Sequence, residues 1–593
     1  MMKRILTFAL SLPVMAWGNP APQPAPAAPV QATVAVAPQL PAAKLSASNP
    51  KVTLRGPWSS TQLIVTDEAA SRPRDVTHAV TYEVEKPGVV SVDSHGFVTP
   101  VANGKTLVIA SLPGTSGLPV PIEVAVEGFD QPEPIHFSNE VVSVFTKYGC
   151  NGGGCHGKSG GQNNFRLSLL GYEPWNDHEW LVRESRGRRV FPSAPEHSLL
   201  LTKATGEIPH EGGIRLQKGS RDYNTLVRWI REGMPYQNEK APKVTGISVS
   251  PKERVANAKA TQQLAVTAKF SDGSERDITR LALYESNQKD MAEVDAEGHV
   301  VLADRTGTAS IMVRFQEHVD VFRATIPLGA DTGTMPEKSN YIDEHIFKKL
   351  TLLGLPPSAP ADDATFLRRV TVDIAGRLPT AEESRAFLGD ASPDKRAKTI
   401  DRLLDSPDYA AYFAQKWAGI LRNKRSKETY QRGTYAFHDW LRTGLLENRP
   451  YNAVVTDLLT ASGEIGQNPE VAWFRAVKDQ KEQMQDIAQV FLGIRMQCAQ
   501  CHHHPYEKWS QDDYYSFAAF FSNVGRKPGE QPDEEIIFHK RGNATMQNPN
   551  TLNVLKPKPL GGDPLDLPVS EDPREALATW MTSAENPWFA KMV

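Results

Sequence analysis

A chain of 593 residues is about four times the usual length of one domain, so several separate cores are expected. With 40% hydrophobic and 23% charged residues it falls outside the disordered and membrane-embedded classes, and 66 Lys+Arg against 69 Asp+Glu (net −3) leaves no electrostatic footprint for nucleic acid. Pro at 45 positions points to linkers and β-rich modules, while four cysteines are too few for a disulfide scaffold. The N-terminus reads as an export signal over 1–18: Lys3 and Arg4 precede an apolar run, Ile5 to Ala16, and Ala16-Trp17-Gly18 offers small residues for cleavage. That run falls short of the roughly 20 residues that span a bilayer, and no Cys follows it for lipid attachment. The expectation is an exported protein, periplasmic or at the cell surface, with no transmembrane segment after signal removal. Residues 19–48 are mostly Ala and Pro and read as a semi-rigid linker.

Next comes an internal repeat. Gln62-Leu63-Ile64-Val65-Thr66 returns as Gln263-Leu264-Ala265-Val266-Thr267, Asp75-Val76-Thr77 as Asp277-Ile278-Thr279, and Val92-Asp93, Gly96 and Val98 as Val294-Asp295, Gly298 and Val300. Short β-rich runs between Gly, Asp and Asn turns predict a small antiparallel sandwich in each copy, at 49–128 and 243–330. The pattern resembles the bacterial Ig-like group 2 domain, a resemblance that implies a spacer or a module contacting surface glycan.

All the cysteines fall in two motifs: Cys150 and Cys155 followed by His156 between the repeats, and Cys498-Ala499-Gln500-Cys501-His502 far downstream. Two Cys followed at once by His is the attachment signature of haem c, where thiols bond the macrocycle and the adjacent imidazole ligates iron. A disulfide in each pair, or zinc on four thiolates, is the structural alternative. The first motif spaces its cysteines by four residues, and three consecutive glycines, Gly152 to Gly154, allow the longer loop to fold back. Around it, Val141 to Tyr148 reads as a leading helix and Tyr223 to Gly233 as a closing one, giving a small all-α, cytochrome c-like domain over 133–241. In such a domain the distal ligand precedes the last helix. His210 in Pro209-His210 is the candidate there and would lower the reduction potential relative to a Met ligand. Met234 stands second and reads as a packed helix-end residue, and His178 and His197 read as surface residues.

From Tyr341 to about Asn523 the apolar spacing becomes helical, as in Phe366, Val370 and Ile374, defining a helical domain over 338–525 that carries the second motif. An extended, β-type connection follows over 526–570, and 571–593 reads as the truncated start of a further helical domain. The run Phe491 to His502 with Asp512-Asp513-Tyr514-Tyr515 beyond, and Arg368 to Thr380, resemble the second domain of planctomycete-type cytochrome c-like proteins. The resemblance extends to Gly149 through Gly157, Phe165-Arg166-Leu167-Ser168 and Pro209-His210. It implies haem c at Cys150, Cys155 and His156, a second haem at Cys498, Cys501 and His502, electron exchange with an unidentified redox partner, and a link to extracellular polysaccharide breakdown. Two readings from other classes stand beside it. One is a haem-dependent or hydrolytic enzyme of glycan breakdown using His438, Asp439 or Glu507; the other is a scaffold with disulfide or zinc sites. For the second motif no distal ligand is visible, since Met484 and Met496 fit helix packing better.

Overall fold

The computed structural model describes residues 42–593 apart from 70–71, 159, 237–240, 425–430, 503, 505–506, 532–533 and 593. The export signal and most of the linker therefore lie outside the described residues. The N-terminal half holds two β-sandwiches with a small helical unit between them along the chain, and the C-terminal half is mainly helical.

Alternation builds the sandwiches. In Gly104–Ser111 the buried residues are Thr106, Val108 and Ala110, and in its neighbour Val120–Glu127 they are Ile122, Val124 and Val126, so one face of each strand closes the core. The sheet order Lys51–Arg55, Val120–Glu127, Gly104–Ser111, Thr81–Val84 is repeated by Glu253–Val255, His318–Ile326, Gly307–Phe315, Leu283–Ser286. Two details differ from the sequence reading. Lys51–Arg55 runs parallel to Val120–Glu127, as Glu253–Val255 does to His318–Ile326, so the sandwiches are mixed rather than antiparallel. The opening strand of each module lies in the other sheet, and the chain changes sheets without turning back, so it meets the closing strand running the same way. The linker also ends earlier than residue 48, because Leu45–Ala47 pairs with Val65–Asp67 through backbone bonds that depend little on side-chain type.

The two modules grip each other reciprocally. Asp277 accepts a hydrogen bond from the Gln62 amide at 2.8 Å, and Asp75 accepts one from the Gln263 amide at 2.5 Å, with Gln62 matching Gln263 and Asp75 matching Asp277 in the repeat. The side chains beyond follow the same pseudo-two-fold relation: His78 stacks on His299 at 4.3 Å, and Arg280 lies over Phe97 at 4.2 Å. The helical unit docks on the Arg280 side. Its buried Lys147 pairs with Asp222 at 3.1 Å and donates to the Arg280 carbonyl at 3.0 Å, while Arg221 sits over Phe97.

Within that unit the helices Val142–Lys147, Pro174–Val182, Leu199–Ala204 and Arg221–Arg231 enclose Phe137, Leu181, Leu201, Leu226, Trp229 and Ile230. Ser220 starts the last of these by accepting from the Tyr223 amide. The C-terminal half packs its largest core around Phe437, Leu458, Trp473, Met484, Phe491, Tyr514 and Phe517. The helix Pro573–Met581 packs on this same core through Leu577 and Met581. Its apolar stripe finds a partner only in the tertiary structure.

Candidate functional site

The first motif is a turn that the helix Val142–Lys147 runs into. Gly149 adopts φ +70°, the Cys150 amide bonds the Phe145 carbonyl, and the His156 amide returns to the Cys150 carbonyl at 3.0 Å, so the glycine-rich loop closes on itself. Asn151, fully buried, anchors it: its side chain donates to Thr146 at 2.9 Å and its carbonyl accepts from the Leu170 amide. A Cβ on Gly157 would lie 2.0 Å from the Asn151 carbonyl oxygen, so only glycine fits directly after His156. Both thiols are free and half-buried, and burial pushes the Cys150 thiol up to about 11.

His156 Nδ1 lies 2.8 Å from the Phe165 carbonyl, and its ring packs 4.5 Å from the Phe165 ring. The loop after Leu199–Ala204 presents His210, whose Nδ1 lies 2.9 Å from the Gly213 carbonyl. A carbonyl only accepts, so each Nδ1 carries the proton and each Nε2 is left with its lone pair, the form that binds metal. The two imidazoles face one another with planes 7° apart and centres 6.3 Å apart. Gly212 lies against the His210 ring, where a Cβ would come within 2.8 Å of Cε1. Burial holds His156 below its ordinary imidazole value, and neighbouring His210 and Arg189 push the same way while the Phe165 bond opposes them.

Other candidates take different places. His178 is buried, not superficial: it contacts Phe137, Trp229 and Tyr236, and its Nε2 donates to the Met234 carbonyl at 2.9 Å. Its neighbours come from distant segments, which sequence spacing does not reveal. Met234 lies just past the closing helix at φ +57° and packs on the core, and His197 is exposed. Phe165 stands in a run singled out by sequence, but its contact with His156 and the part of Arg189 escape sequence reasoning; the backbone turns just before Phe165 at Asn163-Asn164, both with left-handed φ of 51° and 58°.

The second motif forms the tight turn Met496–Gln500, with Cys498 half-buried, Cys501 exposed and both thiols free. Gln511 and Tyr515 hold it by donating to the Gln500 carbonyl at 2.8 and 3.2 Å. His504 is buried and spends Nε2 on the Arg495 carbonyl at 2.9 Å, and Met484 and Met496 are enclosed in the core. His502 is half-buried beside this turn, and His503 lies outside the described residues. Glu507 accepts from the Trp509 indole at 2.7 Å, and Asp439 pairs with Arg442 at 3.0 Å. His438 and Asp439 belong to the helix Gln431–Leu446, where Asp439 borders a cavity of about 360 Å³ lined by Arg432, Trp440, Glu447 and Arg449. No residue of the second motif lines that cavity. Among the described residues no three His, Cys, Asp or Glu side chains are grouped to hold a metal ion by themselves.

These features define a multi-domain chain of Ig-like sandwiches and a helical half with Cys-His turns. Residues 243–325 match the bacterial Ig-like domain (group 2), and residues 341–526 match PSCyt2, a protein of unknown function (DUF1549). These matches place a DUF1549 domain and a bacterial Ig-like domain (group 2) within the chain. No curated protein matches it. Among solved structures it is similar to the S-layer protein rSbsC(31-844), with 13% identity and a TM-score of 0.13 over 50% of this chain and 29% of that one. A second is domains 5-6 of the S-layer protein SbsC, with 12% identity and a TM-score of 0.20 over 48% of this chain and 96% of that one. No helix among the described residues is long and apolar enough to cross a membrane.

Proposed function

We propose that the protein is an exported, c-type cytochrome-like electron carrier, with haem c held at Cys150 and Cys155 and ligated by His156 and His210. The observation that carries this reading is the facing pair of imidazoles. Two imidazoles bound to one ion from opposite sides, each at about 2 Å, have ring centres roughly 6 Å apart; the rings of His156 and His210 have centres 6.3 Å apart and planes 7° apart. Both rings are also fixed by carbonyls in the ligating tautomer. When bound, haem supplies one-electron chemistry. The chain's own part is to anchor the group through two free thiols, fix both imidazoles and exclude water with Phe165 and the buried Asn151. Electrons would pass to or from an unidentified redox partner, and contact with surface glycan through the Ig-like modules, with a role in polysaccharide breakdown, belongs to the same reading.

A second haem, which would be held by Cys498, Cys501 and His502, is part of the proposal; Met484, Met496 and His504 are committed to packing and backbone bonds. Haem staining of denaturing gels tests the whole reading in a host with haem-attachment machinery, since thioether bonds survive unfolding. A stained band that weakens by about half in a Cys498→Ala, Cys501→Ala double variant is expected. No stain and no Soret absorption would sink it.

A further inference from the structure

Arg189 is 5% exposed, yet its charge is poorly neutralised. Its guanidinium donates to the carbonyls of Trp180, Glu184 (3.2 Å) and Asn164 (2.6 Å) and to the Ser185 hydroxyl (3.2 Å). The nearest acid is Glu184, whose carboxylate stands 3.9 Å away, beyond hydrogen-bond reach, and also pairs with Arg166 at 3.1 Å. Arg189 Cζ lies 4.8 Å from the centre of the Phe165 ring, and that ring lies 4.5 Å from His156. The Asn164 carbonyl that Arg189 grips directly precedes Phe165, whose own carbonyl receives His156 Nδ1. A buried cation, an aromatic ring and the candidate ligand therefore stand in contact in that order, and one guanidinium pins the backbone that orients the ligand.

We propose that Arg189 is the positioning residue of the first site, fixing the Phe165 carbonyl against His156 and raising the reduction potential of a haem ligated there. The inference rests on the haem reading above. A desolvated positive charge favours the less positive, reduced state of a nearby iron, and low local polarity strengthens that effect. The planar fork also does what lysine cannot, reaching three carbonyls from two segments at once.

The test uses the full-length protein with its haem content counted. Arg189→Gln should lower the midpoint potential of the six-coordinate haem by about tenfold in the reduction equilibrium, near 59 mV for one electron, and Arg189→Lys should recover most of the shift. Glu184→Gln, a change at a partly exposed side chain that spares the fold, should move the potential upward by removing the nearest opposing charge. Nitrogen NMR of labelled histidines in the haem-free chain reads the positioning part separately: the slowly exchanging His156 Nδ1 proton should be lost in Arg189→Gln and kept in Glu184→Gln. A potential that stays or rises in Arg189→Gln while the spectrum remains six-coordinate overturns the electrostatic role. An unchanged Nδ1 proton overturns the positioning role. A haem-free unmodified protein would defeat the cytochrome reading itself, and the NMR result would then stand alone.

Discussion

At the scale of single residues, the first site depends on contacts too close to tolerate added atoms. Gly157 has no room for a methyl group because the obstacle, the Asn151 carbonyl, is backbone held by Leu170. Gly157→Ala should therefore cost close to the upper end of overpacking, about 3 kcal/mol, seen as a lower urea midpoint. His210→Ala removes a side chain at an exposed loop and should leave stability nearly unchanged. Its effect should appear in the visible spectrum, as a partly high-spin haem that binds carbon monoxide; an unaltered low-spin spectrum would take His210 out of the site. His156 was legible in the sequence because it directly follows Cys155. Arg189 was not, since its acceptors at Asn164, Trp180 and Glu184 are brought together by turns with left-handed residues, Ser185 and Arg186 among them.

At the scale of elements, the repeat makes its own prediction. Because Asp75 and Asp277 play equivalent parts across the pseudo-two-fold joint, Asp75→Ala and Asp277→Ala should cost similar amounts, roughly 2 kcal/mol each for lost bonds to a charged acceptor, by denaturant titration. A large asymmetry would mean the joint is not reciprocal in energy. The joint also carries a pH dependence. Burial, reinforced by His78 and His95 and opposed by Asp295 and Asp75, holds His299 below the ordinary imidazole value. As pH falls below about 6.5 the unfolded chain takes up this proton first, so stability present above that pH is lost as pH falls through the folded value. His299→Phe places at this position the residue that its counterpart Phe97 already supplies. The variant should lose less stability than the unmodified protein between about pH 7.5 and pH 5; parallel losses would show that His299 does not titrate in the joint.

At the scale of the whole molecule, contacts that join distant segments decide what holds together. Tyr172, in the loop over the first motif, donates to the His504 carbonyl beside the second motif at 2.8 Å and accepts from buried Arg314 of the second sandwich at 3.2 Å. Three modules meet at one hydroxyl. The helix Pro573–Met581 is tied in a similar way: Arg574, 1% exposed, donates to the Ala461 carbonyl at 2.8 Å and to Ser462 at 3.0 Å while pairing with Asp572 at 2.6 Å. Arg574→Ala should destabilise the helical half by about 3–5 kcal/mol, because it leaves a nearly buried carboxylate and a buried carbonyl without their partner. Calorimetry that shows no change in the transition of that half would contradict this account.

The sequence by itself determined the order of modules, the repeat, the helical character of the C-terminal half and the two Cys-His turns, because periodicity, turn residues and motif spacing are written within a few residues of one another. It also singled out His210, by its place before the closing helix. Only the tertiary structure decided that His210 faces His156, that His178 is buried, that each sandwich contains a parallel pair, and that the helix Pro573–Met581 packs on the core of the helical half. Each of these depends on which apolar faces and which backbone donors meet across long stretches of chain, and such pairings are selected by the summed burial of the whole fold rather than by any local pattern.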